Sequence, residues 1–166
     1  RDESHSVSTL MEDATSVAQA ICFAPSGTHR IMKSETVLAG RSARSEDITR
    51  MVSAGGTITS DALLIGDAPG TQGFLGCDGL KLNKTGEIMA IPSLCARAEG
   101  SQLSHEASVG MIDSDKLNYL MASGMTEDAA RDLIVQGFLS LDDAVVPDAV
   151  KARVADMIVQ AKSGGM

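Results

Sequence analysis

Ile58-Thr59-Ser60-Asp61-Ala62-Leu63-Leu64-Ile65-Gly66 can be laid over Leu75-Gly76-Cys77-Asp78-Gly79-Leu80-Lys81-Leu82-Asn83 without a gap. Asp61 then falls on Asp78, Leu63 on Leu80 and Ile65 on Leu82. Aliphatic side chains that recur in register at such a period suit one coil of a parallel β-helix, where each coil covers the next. Equivalent side chains of successive coils would stack about 4.8 Å apart and fill a narrow interior. Two strands of an ordinary antiparallel sheet could give the same short match. Both readings are open on these residues alone.

Working outward, short extended stretches alternate with turn residues from Ser16 to about Ile91. Residues 17–24 end at Pro25-Ser26-Gly27, residues 29–39 at Gly40, and residues 48–54 at Gly55-Gly56. β-branched residues are frequent and no stretch holds a helical period, so strands are expected. After Gly110 the pattern changes. Asp113 or Ser114 can cap a helix carrying Leu117, Leu120 and Met121 and ending near Gly124. Thr126 caps a second, with Glu127 and Asp128 at its positive end. Ala130, Leu133 and Ile134 recur along it at helical spacing, and Gly137 is expected to stop it. Pro147 suits the first turn of a third helix, striped by Val150, Val154, Met157, Ile158 and Ala161. The expected division is a β body over residues 1–111 and a helical part over 112–166.

Composition narrows the function classes. Of the 166 residues 43% are hydrophobic but only 2% aromatic, so the core must be built from aliphatic side chains. A net charge of −8 argues against binding nucleic acid through its phosphates, and equally against an anionic membrane surface. No apolar run is long enough to span a bilayer, and no basic-then-apolar start suggests secretion. Cys22, Cys77 and Cys95 are odd in number and widely spaced, which points to a reducing cytoplasm rather than a disulfide framework. The opening Arg1-Asp2-Glu3-Ser4, without an initiator methionine, is expected of the C-terminal part of a longer protein.

One segment sets a histidine beside a carboxylate where the β-like region gives way to helices: Leu103-Ser104-His105-Glu106-Ala107-Ser108-Val109-Gly110. Together with Cys77-Asp78-Gly79-Leu80, Glu87-Ile88 and Ile91-Pro92-Ser93-Leu94 it resembles the closing part of the SufB/SufD family of iron–sulfur cluster assembly proteins. The stretches Leu117-Asn118-Tyr119-Leu120-Met121, Gly124-Met125-Thr126-Glu127-Asp128-Ala129-Ala130 and Ile134-Val135-Gln136-Gly137-Phe138-Leu139 extend the likeness. It is good from about Asp61 to Leu139 and looser upstream, at Ala24-Pro25 and residues 42–52.

The resemblance implies a right-handed parallel β-helix followed by a small C-terminal helical domain. It implies a non-enzymatic scaffold, or a scaffold's partner, for a transient iron–sulfur cluster. By the same resemblance Cys77 falls on the cysteine through which SufB-type members are thought to hold a nascent cluster or its sulfur. Iron and sulfide prefer thiolate ligands. A buried cysteine acting as a small apolar residue is the structural alternative. His105 and Glu106 resemble assembly-site residues at an interface between two subunits, and both can bind iron. A pair that only hydrogen-bonds backbone at the strand-to-helix junction is the other reading. Ser104 stands where SufB-type members carry Glu and SufD-type members carry Ser, so a SufD-like structural partner without ligands of its own is also open.

Cys95 follows Cys77 at about the interval of one coil, which would make the two thiols neighbours on stacked coils. The family's own cysteine in this neighbourhood falls on Ala96. Cys22 is expected in the core, and His5 and His29 on the surface. The helices from Asp113 to Phe138 resemble the part of the family that docks onto SufC, an ABC-type ATPase. The partners implied are therefore that ATPase and a second SufB/SufD-type subunit, in a homodimer or a heterodimer. No GxxxxGK[ST] loop occurs here, so nucleotide would be handled by the partner. A β-helix enzyme such as an acyltransferase or lyase is the remaining alternative. Acyltransferases of that kind carry strict hexapeptide repeats, which this sequence lacks.

Overall fold

The computed structural model describes residues 1–139 and, beyond them, only Ala152 and Asp156. The stripe expected on a third helix, from Val150 to Ala161, falls on residues outside the described ones. Eight strands come first: β1 (Asp2–Leu10), β2 (Thr15–Pro25), β3 (His29–Leu38), β4 (Arg44–Ala54), β5 (Thr57–Gly66), β6 (Gln72–Lys81), β7 (Glu87–Ala96) and β8 (Gln102–Met111). Two helices follow, α1 (Ser114–Ala122) and α2 (Glu127–Phe138).

Odd-numbered strands form one parallel sheet, ordered β1-β3-β5-β7, and even-numbered strands form another, ordered β2-β4-β6-β8. Each coil thus spends one strand in each sheet, and four coils make a β-solenoid. The β-helix expectation holds, but the repeat that suggested it does not measure a coil. Its two copies are β5 and β6, which lie in different sheets. Asp61 is stacked beside Lys33 and Ile91, while Asp78 is stacked beside Arg50 and Ser108. True neighbours are much farther apart along the chain, as in His29 beside Thr57 and Gln72 beside Gln102. The shorter match related two faces of one coil.

The corners keep this longer period. Asp13, Ser42, Gly70 and Gly100 all take positive φ, between 56° and 72°. The Ser42 amide donates to the Pro69 carbonyl and the Gly70 amide to the Glu99 carbonyl, so one tight corner is repeated coil after coil. Gly40 is required for a different reason. A Cβ there would lie 1.9 Å from the Glu12 backbone nitrogen, because successive corners pack backbone on backbone.

Between the sheets lie two aliphatic clusters. One gathers Leu10, Leu38, Ala62, Leu64 and Leu75, and the other Cys22, Ala24, Met51, Ile58 and Cys77. With almost no aromatic side chains, the interior is filled by aliphatic residues, as expected. A third cluster lies on the outer face of the even sheet, where Ile21, Phe23, Val52, Leu80 and Leu82 meet Ile134, Val135, Phe138 and Leu139.

That outer cluster seats α2. Asp113 caps α1 by accepting from the Asp115 amide, and Thr126 caps α2 by accepting from the Ala129 amide, as the sequence suggested. Gly137 does not stop α2, which runs on to Phe138. The packing of Val135 and Leu139 against Val52 and Leu80 outweighs the roughly 1 kcal/mol that a glycine costs inside a helix. Arg131 adds a tether by donating to the Leu82 carbonyl at 3.1 Å and to Glu127 on its own helix.

Candidate functional site

The site expected around Cys77, His105 and Glu106 lies on the last two strands of the even sheet. Side chains alternate along a strand, so one residue of known direction fixes the rest. A Cβ on Gly79 would meet Ile88 and Val109, and Leu75 and Cys77 belong to the two interior clusters. Odd-numbered residues of β6 and β8 therefore face inward. Cys77 has Thr49 beside it on the previous even strand and Ala107 on the next, while His105 is in register with Leu75.

Cys77 and His105 thus share the inner face, one coil apart and displaced by one alternation along the strand. Glu106 is in register with Gly76 and faces outward, away from both. Adjacent in sequence, the histidine and the acid are separated by the thickness of the sheet. Nor do they lie at the strand-to-helix junction: they sit inside β8, and α1 begins only at Ser114.

Burial divides the three further. Cys77 is 2% exposed, and burial, then the charge of Asp78, pushes its thiol above the usual range. His105 and Glu106 are exposed; among the described residues β8 is the last strand of its sheet and no further coil stacks on it. Between the thiol and that open end stand Ala107, in register on β8, and Ile88 and Ala90 of β7, which pack against the same cluster. Among the described residues no three of His, Cys, Asp and Glu gather closely enough to hold a metal ion unaided.

The other cysteines fall elsewhere. Cys95 is on β7, in the opposite sheet from Cys77, stacked beside Ile65. Its neighbour Leu94 packs into the interior, so Cys95 faces outward, where the Arg97 guanidinium hydrogen-bonds to it. The two thiols are not stacked neighbours, because the interval between them carries the chain from one sheet to the other rather than round a full coil. Cys22 is buried as expected, and burial pushes its thiol up to about 11. His5 and His29 are exposed, also as expected.

The sequence reading missed Ala107 and the contact between Asp78 and Ser108, a 2.6 Å hydrogen bond on the outer face. The true stacking interval would have found both, since it sets Ala107 on Cys77 and Ser108 on Asp78.

Residues 3–138 match the family model described as SUF system FeS cluster assembly, SufBD core domain. The chain belongs to the SufBD family. An iron–sulfur cluster assembly SufBD family protein of Archaeoglobus fulgidus is 38% identical over 151 residues, covering 91% of this chain and 41% of that protein. A SufBD relative from Methanothermobacter thermautotrophicus is 37% identical over 134 residues, covering 80% of the chain and 33% of the relative. One from Mycobacterium leprae is 27% identical over 131 residues, covering 77% of the chain and 15% of that protein. The chain spans 41% and 33% of the length of the first two SufBD relatives.

Proposed function

We propose that the chain is a non-enzymatic component of an iron–sulfur cluster assembly complex, acting as scaffold or scaffold partner with an ABC-type ATPase. One observation carries this reading. Among the described residues no strand stacks on the last coil, β7 and β8, and one coil beneath it lies the Cys77 thiol, behind Ala107, Ile88 and Ala90. Each of those strands pairs on one side only within its sheet, which leaves a row of backbone donors and acceptors able to pair with another strand. A second SufB/SufD-type subunit closing over this edge would cover His105 and Ala107 and bring its own ligands toward Cys77. A transient cluster would form there, with His105 as the protein's second inward ligand and Glu106 reached around the strand edge. Three free thiols among the described residues suit a cytoplasmic setting.

The helices supply the second partner surface. α1 and α2 leave Tyr119, Met121 and Leu133 exposed, and an apolar cleft lies between Tyr119, Leu120 and Ile134. Short capped helices with uncovered apolar side chains suit docking on the ATPase.

Anaerobic reconstitution with iron and sulfide, with and without the ATPase and a SufB/SufD-type partner, tests the reading. Sub-stoichiometric iron on the chain alone and a rise on forming the ternary complex are expected. No complex with either partner would refute it. A SufD-like partner role without ligands of its own is the second reading, favoured by Ser104 and by the burial of Cys77. In that case the complex forms, but its iron content does not respond to Cys77→Ala.

A further inference from the structure

The second coil has an interior unlike that of the coil after it. Its inward residues are Thr36 on β3 and Ser45 on β4, both buried, Asp47 and Thr49 on β4, half-buried, and Ser34 on β3, which is exposed. In the third coil the same rungs are occupied by Ala62, Leu64, Gly73, Leu75 and Cys77. A polar layer thus rests on a dry one, in which Leu64 is fully buried and Leu75 is 3% exposed.

Within the polar layer two oxygens lack a protein partner. Ser45 Oγ and Asp47 Oδ2 are both shielded from solvent, and neither meets a hydrogen-bonding group. Ser45 is only 6% exposed. The two side chains leave one face of β4 at successive inward positions, roughly 6.6 Å apart along the strand, both directed toward the opposite sheet. From the other sheet the Thr36 hydroxyl hydrogen-bonds to the Asp47 carboxyl. Toward the first coil the neighbours are Ser16 and Ala18, which are small. Among the described residues no ion pair involves Asp47.

We propose that Ser45 Oγ, Asp47 Oδ2 and the Thr36 hydroxyl hold a monovalent metal cation inside the second coil. The donors are oxygens alone, which suit a hard alkali ion and not the thiophilic metals that thiolates select. One carboxylate balances one positive charge. A divalent ion would leave net charge in a poorly solvated space, and an unaccompanied carboxylate leaves its own charge uncompensated there. Burial pushes the Asp47 carboxyl above the usual carboxylate range, which marks the same cost. An acid with a raised folded value stabilises the fold below its unfolded value and loses that contribution as pH rises through the folded one. The cation should therefore matter most where the carboxyl is ionised.

Crystals of the full chain soaked in thallium(I) acetate test the site. An anomalous peak between Ser45 and Asp47, absent in Asp47→Asn, is expected. Thermal unfolding in potassium chloride against choline chloride, at equal ionic strength, gives an independent reading. The chain should melt higher in potassium, the gap should widen as pH rises above the carboxylate range, and Ser45→Ala should shrink it. A gap that persists unchanged in Asp47→Asn, a thallium peak that survives that substitution, or no peak and no gap would each overturn the proposal.

Discussion

Replacing Cys77 separates a ligand from a packing residue, provided the substitution respects where the sulfur lies. The side chain is 2% exposed among Cys22, Ala24, Met51 and Ile58, with Met32, Ile88 and Ala90 packed around them. Serine keeps the shape but places a hydroxyl in this apolar setting, at a cost of about 1–3 kcal/mol. Alanine removes one heavy atom and leaves a small void, comparable to an Ile→Val change at about 0.5–1.5 kcal/mol. For a domain of this size each kcal/mol moves the melting midpoint by roughly 2–4 °C. Taking mid-range costs, Cys77→Ser should melt about 4–8 °C below the parent and Cys77→Ala about 2–4 °C below. Circular dichroism melts provide the ranking, and iron and sulfide analysis of the reconstituted complex provides the chemistry. Alanine is the informative variant, because it tests ligation while disturbing the fold least. A serine variant as stable as the parent would mean that the sulfur is not in a dry interior. An alanine variant that loads as much iron as the parent would remove Cys77 from the ligand set.

Further outcomes follow from the same geometry. In the native chain Cys95 should alkylate first, with Cys22 and Cys77 reacting only after unfolding. At about 11 against an ordinary 9.0, Cys22 presents roughly a hundredfold less thiolate near neutral pH. Equal labelling of all three by mass spectrometry would contradict the burial described. Enlarging the screen over the thiol, as in Ala107→Leu, should lower cluster loading in the partnered complex while leaving the melting midpoint nearly unchanged, since the site faces the open end. Unaltered loading would argue against access from that side. Gly70→Ala should cost about 1–2 kcal/mol in chemical denaturation, because φ is +72° while the nearest atom to the new methyl is 3.8 Å away. Ser42→Gly, at the equivalent corner, should not destabilise, and a loss there would refute the strain argument. Arg131→Ala should speed amide exchange in α2 without affecting the solenoid, and uniform protection would show that the Leu82 tether is dispensable.

Local chemistry made much of this protein legible in its residues. Most strands, α1 and α2 with their N-caps, the aliphatic core and the relation to the SufBD family were open to reading, because β-branching, glycine corners and capping side chains act over short stretches of chain; β1 lay outside the stretch read as extended. The length of a coil was not. Two strands facing each other across a thin interior both want aliphatic residues at alternate positions. Their sequences therefore resemble each other at roughly half the true period, and nothing local tells a facing strand from a stacked one. From that one ambiguity came the misplaced pairing of Cys95 with Cys77. The tertiary structure alone decided which residues are rungs of one ladder. It set Ala107 beside Cys77, Ser108 on Asp78 and Thr36 against Asp47. Those are contacts between residues a whole coil apart or across two sheets, and they exist only once backbone hydrogen bonding has fixed the register.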